Sequence, residues 1–243
     1  MSVDAMVLSA HPDDAELSCA GTVKNLTNEG RTVVFVDCTA GELGSRGTPE
    51  LREKEAIAAA KILGVEHRVC LHLPDGNIMH TNENILAVVV ALRAWKPKLL
   101  LIPPPVERHP DHEAVNRLAR AAAFLAGLTK FESHRNGAAQ QPHRPDQMLC
   151  FQQQYDFPRS PDLYVDITNS FDAKMASVRA FSSQFHMPES YVSDEPATFI
   201  SRPEFLQEIE ARALYQGSRI GVRYAEAFMS VEPLGVSSLS VFL

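Results

Sequence analysis

The sequence predicts an α/β fold: a Rossmann-like, mostly parallel sheet with helices on both faces, in one domain covering residues 1–243. Three observations predict it. Short β-branched and apolar runs alternate with helical stretches through the first half, the rhythm of strand and crossover helix. The strand runs read as buried, as they do when both faces of a parallel sheet are covered. The chain of 243 residues is 45% apolar, enough for one large core, and its charged fraction of 22% is too ordinary for a disordered chain.

Residues 1–126 form the regular βα part and residues 127–243 a C-terminal elaboration around the mouth of the sheet. The first strand is expected at residues 5–10, ending in His-Pro-Asp-Asp, and the first helix at 15–28, closed by Gly30. Residues 32–38 (TVVFVDC) make the second strand, followed by a glycine-rich loop at 40–47. Thr48 is the N-cap of the next helix, Pro49 suits its first position and Glu50 its dipole; the helix runs to Leu63 and stops at Gly64. The third strand is 68–73, then a turn at 74–77, and Thr81 caps a helix to Trp95 with Pro97 beyond it. The fourth strand, 99–102, is cut off by Pro103, Pro104 and Pro105, and a helix begins near His112 and runs to Ala126. Beyond that, 132–147 reads as a polar loop, 148–153 and 163–167 as short strands, and 169–185 and 203–216 as helices.

The formal net charge is −7 and there is no basic run, which excludes nonspecific nucleic-acid binding. The N-terminal residues lack the basic and apolar blocks of a leader, and no apolar stretch is long enough to span a membrane. Cys19, Cys38, Cys70 and Cys150 are scattered, without a C-x-x-C pair, and read as buried free thiols of a cytoplasmic protein rather than structural zinc ligands.

Chemistry concentrates in two clusters, His11-Pro12-Asp13-Asp14 after the first strand and His109-Pro110-Asp111-His112 after the fourth. Ligands of open α/β sheets bind outside the carboxyl ends of strands where the order reverses. In the order 3-2-1-4-5 the first and fourth strands are neighbours, so the clusters would face each other. Two imidazoles and one carboxylate with an open fourth position are the donor set of catalytic zinc, which brings the pKa of a bound water to about 7. A spare carboxylate can carry the proton and a spare histidine can stabilise an oxyanion. The residues alone leave open which of Asp13 and Asp14 is the ligand. They also leave open a non-haem iron enzyme, since two histidines and a carboxylate serve Fe2+ as well, and a non-catalytic binding module. The absence of G-x-G-x-x-G in the first βα turn weighs against dinucleotide binding.

The pair of motifs, with Ala15 and Glu16 extending the first, resembles the LmbE-like, or PIG-L, family of zinc-dependent N-acetylglucosaminyl deacetylases. The resemblance implies Zn2+ (Fe2+ being possible) on His11, Asp14 and His112, Asp13 as general base and later acid, and His109 as oxyanion stabiliser. It places a sugar-contacting arginine at Arg52. Segments 47–56 (GTPELREKEA), 73–78 (LPDGNI), 182–185 (SSQF) and 217–228 (GSRIGVRYAEAF) are similar to the bacillithiol-pathway branch, which acts on N-acetylglucosaminyl-malate. That branch implies a small-molecule amino-sugar substrate and a homo-oligomer, a hexamer among its members. Ser18-Cys19-Ala20 depart from a glycine-rich stretch common in the family's first helix. Malate carboxylates would need cations, for which Arg108, beside His109, and Arg46, Arg219 and Arg223 are candidates. Asp111 is expected to orient a ligand histidine. Tyr191 is a candidate hydroxyl in a lid, and His72, His80 and His186 read as ordinary polar residues.

Overall fold

The computed structural model describes residues 2–186, 196–236 and 238. Tyr191 lies outside them. The chain runs β1 (Ala5–Ser9), α1 (Asp14–Asn28), β2 (Val33–Asp37), α2 (Pro49–Leu63), β3 (His67–Cys70), α3 (Asn82–Trp95), β4 (Leu99–Ile102) and α4 (Pro110–Ala126). It continues through β5 (His134–Arg135), β6 (Ala138–Ala139), β7 (Gln147–Phe151), β8 (Leu163–Asp166), α5 (Phe171–Arg179), α6 (Phe205–Ser218) and β9 (Ala225–Ser230), with a 3-10 turn at Thr168–Ser170 before α5.

The sheet has the order β3-β2-β1-β4-β7-β9-β8. Pairing is parallel from β3 through β7, while β9 runs antiparallel to both β7 and β8. The sheet is therefore mostly parallel but mixed. Alternate side chains of each central strand enter opposite layers. Met6, Leu8, Val34, Val36, Leu100 and Ile102 pack with Val88 and Leu92 of α3 and Val115 and Leu118 of α4. Ala5, Val7, Val33, Phe35 and Leu101 pack with Ala20 and Val23 of α1 and Leu63 of α2. A further cluster joins α2 to α5 and α6 through Ala56, Ala59, Phe171, Met175, Phe205 and Ile209.

The helix signals act as expected. The Thr48 hydroxyl accepts from Leu51 N–H and the Thr81 hydroxyl from Asn84 N–H, each satisfying a donor left over in a first turn. Gly64 closes α2 with φ 77°, a conformation that glycine adopts without penalty. Several expectations are corrected. The helix expected near His112 starts at Pro110, because proline suits the first helical position and His109 serves as N-cap. The stretch 132–147 contains a small hairpin, turned by Asn136 and Gly137, both at positive φ. The helix expected over 169–185 ends at Arg179 and passes into turns. β9 was not expected: Glu226 interrupts its apolar pattern, yet every residue of it is buried. All four cysteines are free, and Cys70 is half-buried rather than buried. Among the described residues no helix is long and apolar enough to cross a membrane.

Candidate active site

Both clusters sit where β1 and β4 end, and the adjacency of these strands brings them together. The ring centroids of His11 and His109 are 4.6 Å apart, those of His109 and His112 5.1 Å, and those of His11 and His112 5.4 Å. The turn into α1 is tight. Asp13 has φ 103°, unusual for a residue with a Cβ and of the kind that persists only where surrounding contacts enforce it.

Asp14 is buried among donors. Its Oδ2 accepts from the N–H groups of Ala10 and His11, and its Oδ1 accepts from Gln153 Nε2 at 3.0 Å. His112 Nε2 is 3.2 Å from Asp14 Oδ1, and His11 Nδ1 is 3.7 Å from Asp14 Oδ2. Burial alone would raise the Asp14 pKa, but His112 and His11 outweigh it and hold the carboxyl well below its usual range. The other ring nitrogen of His11, Nε2, faces Asp75 Oδ1 at 3.0 Å and Asp111 Oδ2 at 3.3 Å. Burial would lower the His11 pKa, yet Asp111, Asp14 and Asp75 together raise it well above the usual imidazole value. Asp111 also accepts from Gly76 and Ile78 N–H, and Asp75 from Leu43 N–H, so the carboxylates at His11 also pin two loops at the rim.

His109 Nδ1 accepts from Asp111 N–H at 3.2 Å. That bond puts the ring proton of the neutral imidazole on Nε2, leaving Nε2–H as a donor. Burial, then the neighbouring His11 and His112, lower the His109 pKa and favour this neutral form. Asp13 differs from Asp14: burial pushes its carboxyl up to about 7, although Arg52 pulls the other way. Arg52 is buried, donating to Gly41 O at 3.0 Å, Pro12 O at 2.7 Å and Asp13 Oδ2 at 3.2 Å. Gly41, at φ 68°, suits glycine, and a Cβ at that position would fall 1.9 Å from the guanidinium and displace it.

These side chains line a cavity of about 340 Å³. Its far wall is apolar, with Leu17, Phe199, Ile200, Phe205 and Ile209. Arg108 lines it too, its guanidinium 4.7 Å from the centroid of the Phe199 ring. Arg46, Arg219 and Arg223 do not line it; Arg46 donates to the carbonyls of Ser183 and Pro196, and Arg223 lies over Tyr224. His72 and His80 are exposed. Among the described residues, two sets of donor atoms lie within 4.8 Å of one another and could hold a metal, His11, His109 and His112 or His11, Asp75 and Asp111; neither is the expected set of His11, Asp14 and His112.

Asp75, Gln153 and Arg212 were not anticipated as site residues. Asp75 had a signal, since it lies in the 73–78 motif just past β3. Gln153 lies just past β7, another carboxyl end at the mouth. Arg212, on α6, had none. It lines the cavity and donates to Gln154 Oε1 at 3.3 Å, and it has no carboxylate within ion-pair distance among the described residues.

Comparison with known proteins bears on this constellation. Residues 6–123, the span from β1 into α4, match the family model PIG-L, described as GlcNAc-PI de-N-acetylase. Diacetylchitobiose deacetylase of Thermococcus kodakarensis is 31% identical over 237 residues, covering 93% of this chain and 82% of that protein. The chain belongs to the PIG-L family. The family model and this relative are both de-N-acetylases, in line with a hydrolytic N-deacetylase, an amidase acting on carbon–nitrogen bonds other than peptide bonds. A further relative, from Bacillus cereus and described as probable N-acetyl-alpha-D-glucosaminyl L-malate deacetylase 2, is 24% identical, covering 76% of this chain and 84% of that one. The crystal structure of the conserved protein TT1542 from Thermus thermophilus superposes with a TM-score of 0.85 at 36% identity, covering 98% of this chain and 99% of that one.

Proposed function

We propose that this PIG-L protein hydrolyses the N-acetyl group of an N-acetylglucosaminyl conjugate, with zinc held by His11, Asp14 and His112. The observation that carries the reading is the placement of His112 Nε2 and His11 Nδ1 at 3.2 and 3.7 Å from the two oxygens of Asp14. Ligand atoms 2.0–2.1 Å from one tetrahedral ion stand about 3.3 Å apart, so the His112–Asp14 spacing suits a shared zinc, and His11, which faces the other Asp14 oxygen, would draw closer on binding it. His109 Nδ1 is already an acceptor for Asp111 N–H, which favours Asp14 over His109 as the third ligand. A zinc ion held there would polarise the acetyl carbonyl and acidify the attacking water.

The protein's own groups do the rest. Asp13, buried beside Asp14, takes the proton of the attacking water and returns it to the departing amine, a task suited by a carboxyl pKa near neutrality. His109 Nε2–H would stabilise the developing oxyanion. Asp111 and Asp75 orient His11 by accepting its second ring N–H. Arg52 stands in the sugar-facing wall while holding Asp13.

For the substrate we propose N-acetylglucosaminyl-malate, as in bacillithiol biosynthesis in the cytoplasm. The four branch-like segments, the B. cereus relative and the arginines of the cavity support it. The T. kodakarensis relative favours a second reading, diacetylchitobiose. Amine release from both compounds and from free N-acetylglucosamine, with and without chelator, tests the proposal. Fast, chelator-sensitive release from the malate conjugate supports it; preference for diacetylchitobiose moves the substrate, and no release from any of the three overturns it. Reconstitution with Zn2+ or Fe2+ identifies the better metal, and light scattering in solution tests the homo-oligomer that the resemblance implies.

A further inference from the structure

Helix α1 is broken. Cys19 has φ −134° and ψ 16°, outside the helical region, so Asp14–Asn28 consists of two helical pieces on either side of it. A break in a helix strands carbonyls on the first piece and N–H groups on the second, and when buried these must find partners. Both are met by one ion pair from distant parts of the chain. Glu226 of β9 accepts from Gly21 N–H at 3.0 Å and from Thr22 N–H and hydroxyl at 2.7 Å each. Lys174 of α5 donates to Leu17 O at 3.0 Å and to Glu226 Oε1 at 2.7 Å. Both side chains are buried, at 2% and 3% exposure, and their charges are matched. Glu226 thus caps the N-terminus of the second piece and Lys174 the C-terminus of the first, each with the charge that a helix end favours.

The first piece is little more than one turn and carries the candidate chemistry. Leu17 N–H donates to Asp13 O at 2.9 Å while Leu17 O accepts from Lys174. The lysine therefore reaches Asp13 through a single residue's main chain. Asp13 holds φ 103°, and an isolated turn with no continuous helix behind it cannot enforce such a conformation unaided.

We propose that Lys174 and Glu226 are positioning residues: they clamp the break in α1 and so hold Asp13 and Asp14 in the geometry the reaction uses. The proposal rests on the assignment of Asp13 and Asp14 above. It also gives a role to Glu226 of the 217–228 segment, which the chemistry of the cavity leaves unexplained.

The test compares K174M, K174R and E226Q with wild type. Folding is read by near-ultraviolet circular dichroism, zinc affinity by competition with a fluorescent chelator, and kcat and KM separately on an N-acetylglucosaminyl substrate. K174M and E226Q are expected to lose about tenfold or more in zinc affinity and in kcat, the range seen when groups supporting metal ligands are removed, with KM little changed. K174R is expected to recover most of both, because it keeps the cation. Folded variants with wild-type zinc affinity and kcat and only a lower melting temperature would overturn the proposal, as would K174R impaired as severely as K174M. If the single variants do not fold, K174M/E226L replaces the pair with apolar groups of similar size, an exchange that buried ion pairs often tolerate. Wild-type zinc affinity in that protein overturns the proposal equally. If wild type releases no amine from any amino sugar, the functional reading has failed, and zinc affinity still decides the clamp.

Discussion

Residues 5–126 and residues 127–236 serve the same cavity in different ways. The first region is the parallel core, in which each strand feeds the next helix through a short turn, and it supplies His11, Asp13, Asp14, Arg52, Asp75, His109 and His112 to the cavity, with Asp111 behind His11. The second supplies α5, α6 and β9, which pack against that core rather than extending its rhythm. Its contributions are Gln153 on Asp14, Arg212 and an apolar wall in the cavity, and the Lys174–Glu226 pair behind it. The family model spans only the first region. Under the proposed function the groups assigned to the chemistry lie in the core, together with Arg52 and Arg108, while the elaboration adds Gln153, Arg212 and most of the apolar wall.

The sharpest way to break this division is Asp13→Asn. It removes the proposed proton carrier from the core while keeping the shape of the side chain, and kcat should fall about 10²- to 10⁴-fold with zinc retained. Metal analysis and steady-state kinetics check it; near-normal turnover would remove Asp13 from the mechanism. Asp75→Asn comes next. Loss of a carboxylate on His11 Nε2 should cost about 10- to 100-fold in zinc affinity or activity, measured by chelator competition.

On the elaboration side, Arg212→Gln should act on substrate choice. A guanidinium with no carboxylate within ion-pair distance among the described residues, in a cavity with an apolar wall, is suited to an anionic substituent. Its removal should lower kcat/KM for the malate conjugate about tenfold more than for free N-acetylglucosamine, chiefly through KM. Equal losses on both would assign Arg212 to the chemistry or the fold instead. The smallest effect concerns the seam between the regions. Gly21→Ala improves helix propensity by about 1 kcal/mol, but the new Cβ would fall 2.7 Å from the Ile167 side chain. Overpacking of this kind costs about 1–3 kcal/mol, so the melting temperature should drop. An unchanged or raised melting temperature would show that Ile167 yields freely.

The core could be read from the sequence because its signals are local. Apolar runs over β1, β2 and β4, Thr48 and Thr81 as caps, Gly64 as a stop and the prolines after β4 each act within a few residues. The same holds for the two His-Pro-Asp clusters, whose place at strand ends followed from the pattern, and whose meeting followed from the adjacency of β1 and β4. Local signals fail for β9, where a charge stands in a buried strand, and for the helix expected over 169–185, which ends at Arg179 in an α5 that packs on α1 and α2.

By itself, then, the sequence determined the alternation of strand and helix, the two motifs and the residue types available for metal and proton transfer. Only the tertiary structure decided that Asp75 and Asp111 share one nitrogen of His11, that Arg52 lies on Asp13, and that Arg212 faces the cavity. It likewise decided that Glu226 and Lys174 close a break in a helix some 150 to 200 residues earlier in the chain. The physical reason is that a charge buried at a distance in sequence leaves no periodic signal. Its partner, and so its role, exists only once the chain has folded and water has been excluded around the pair.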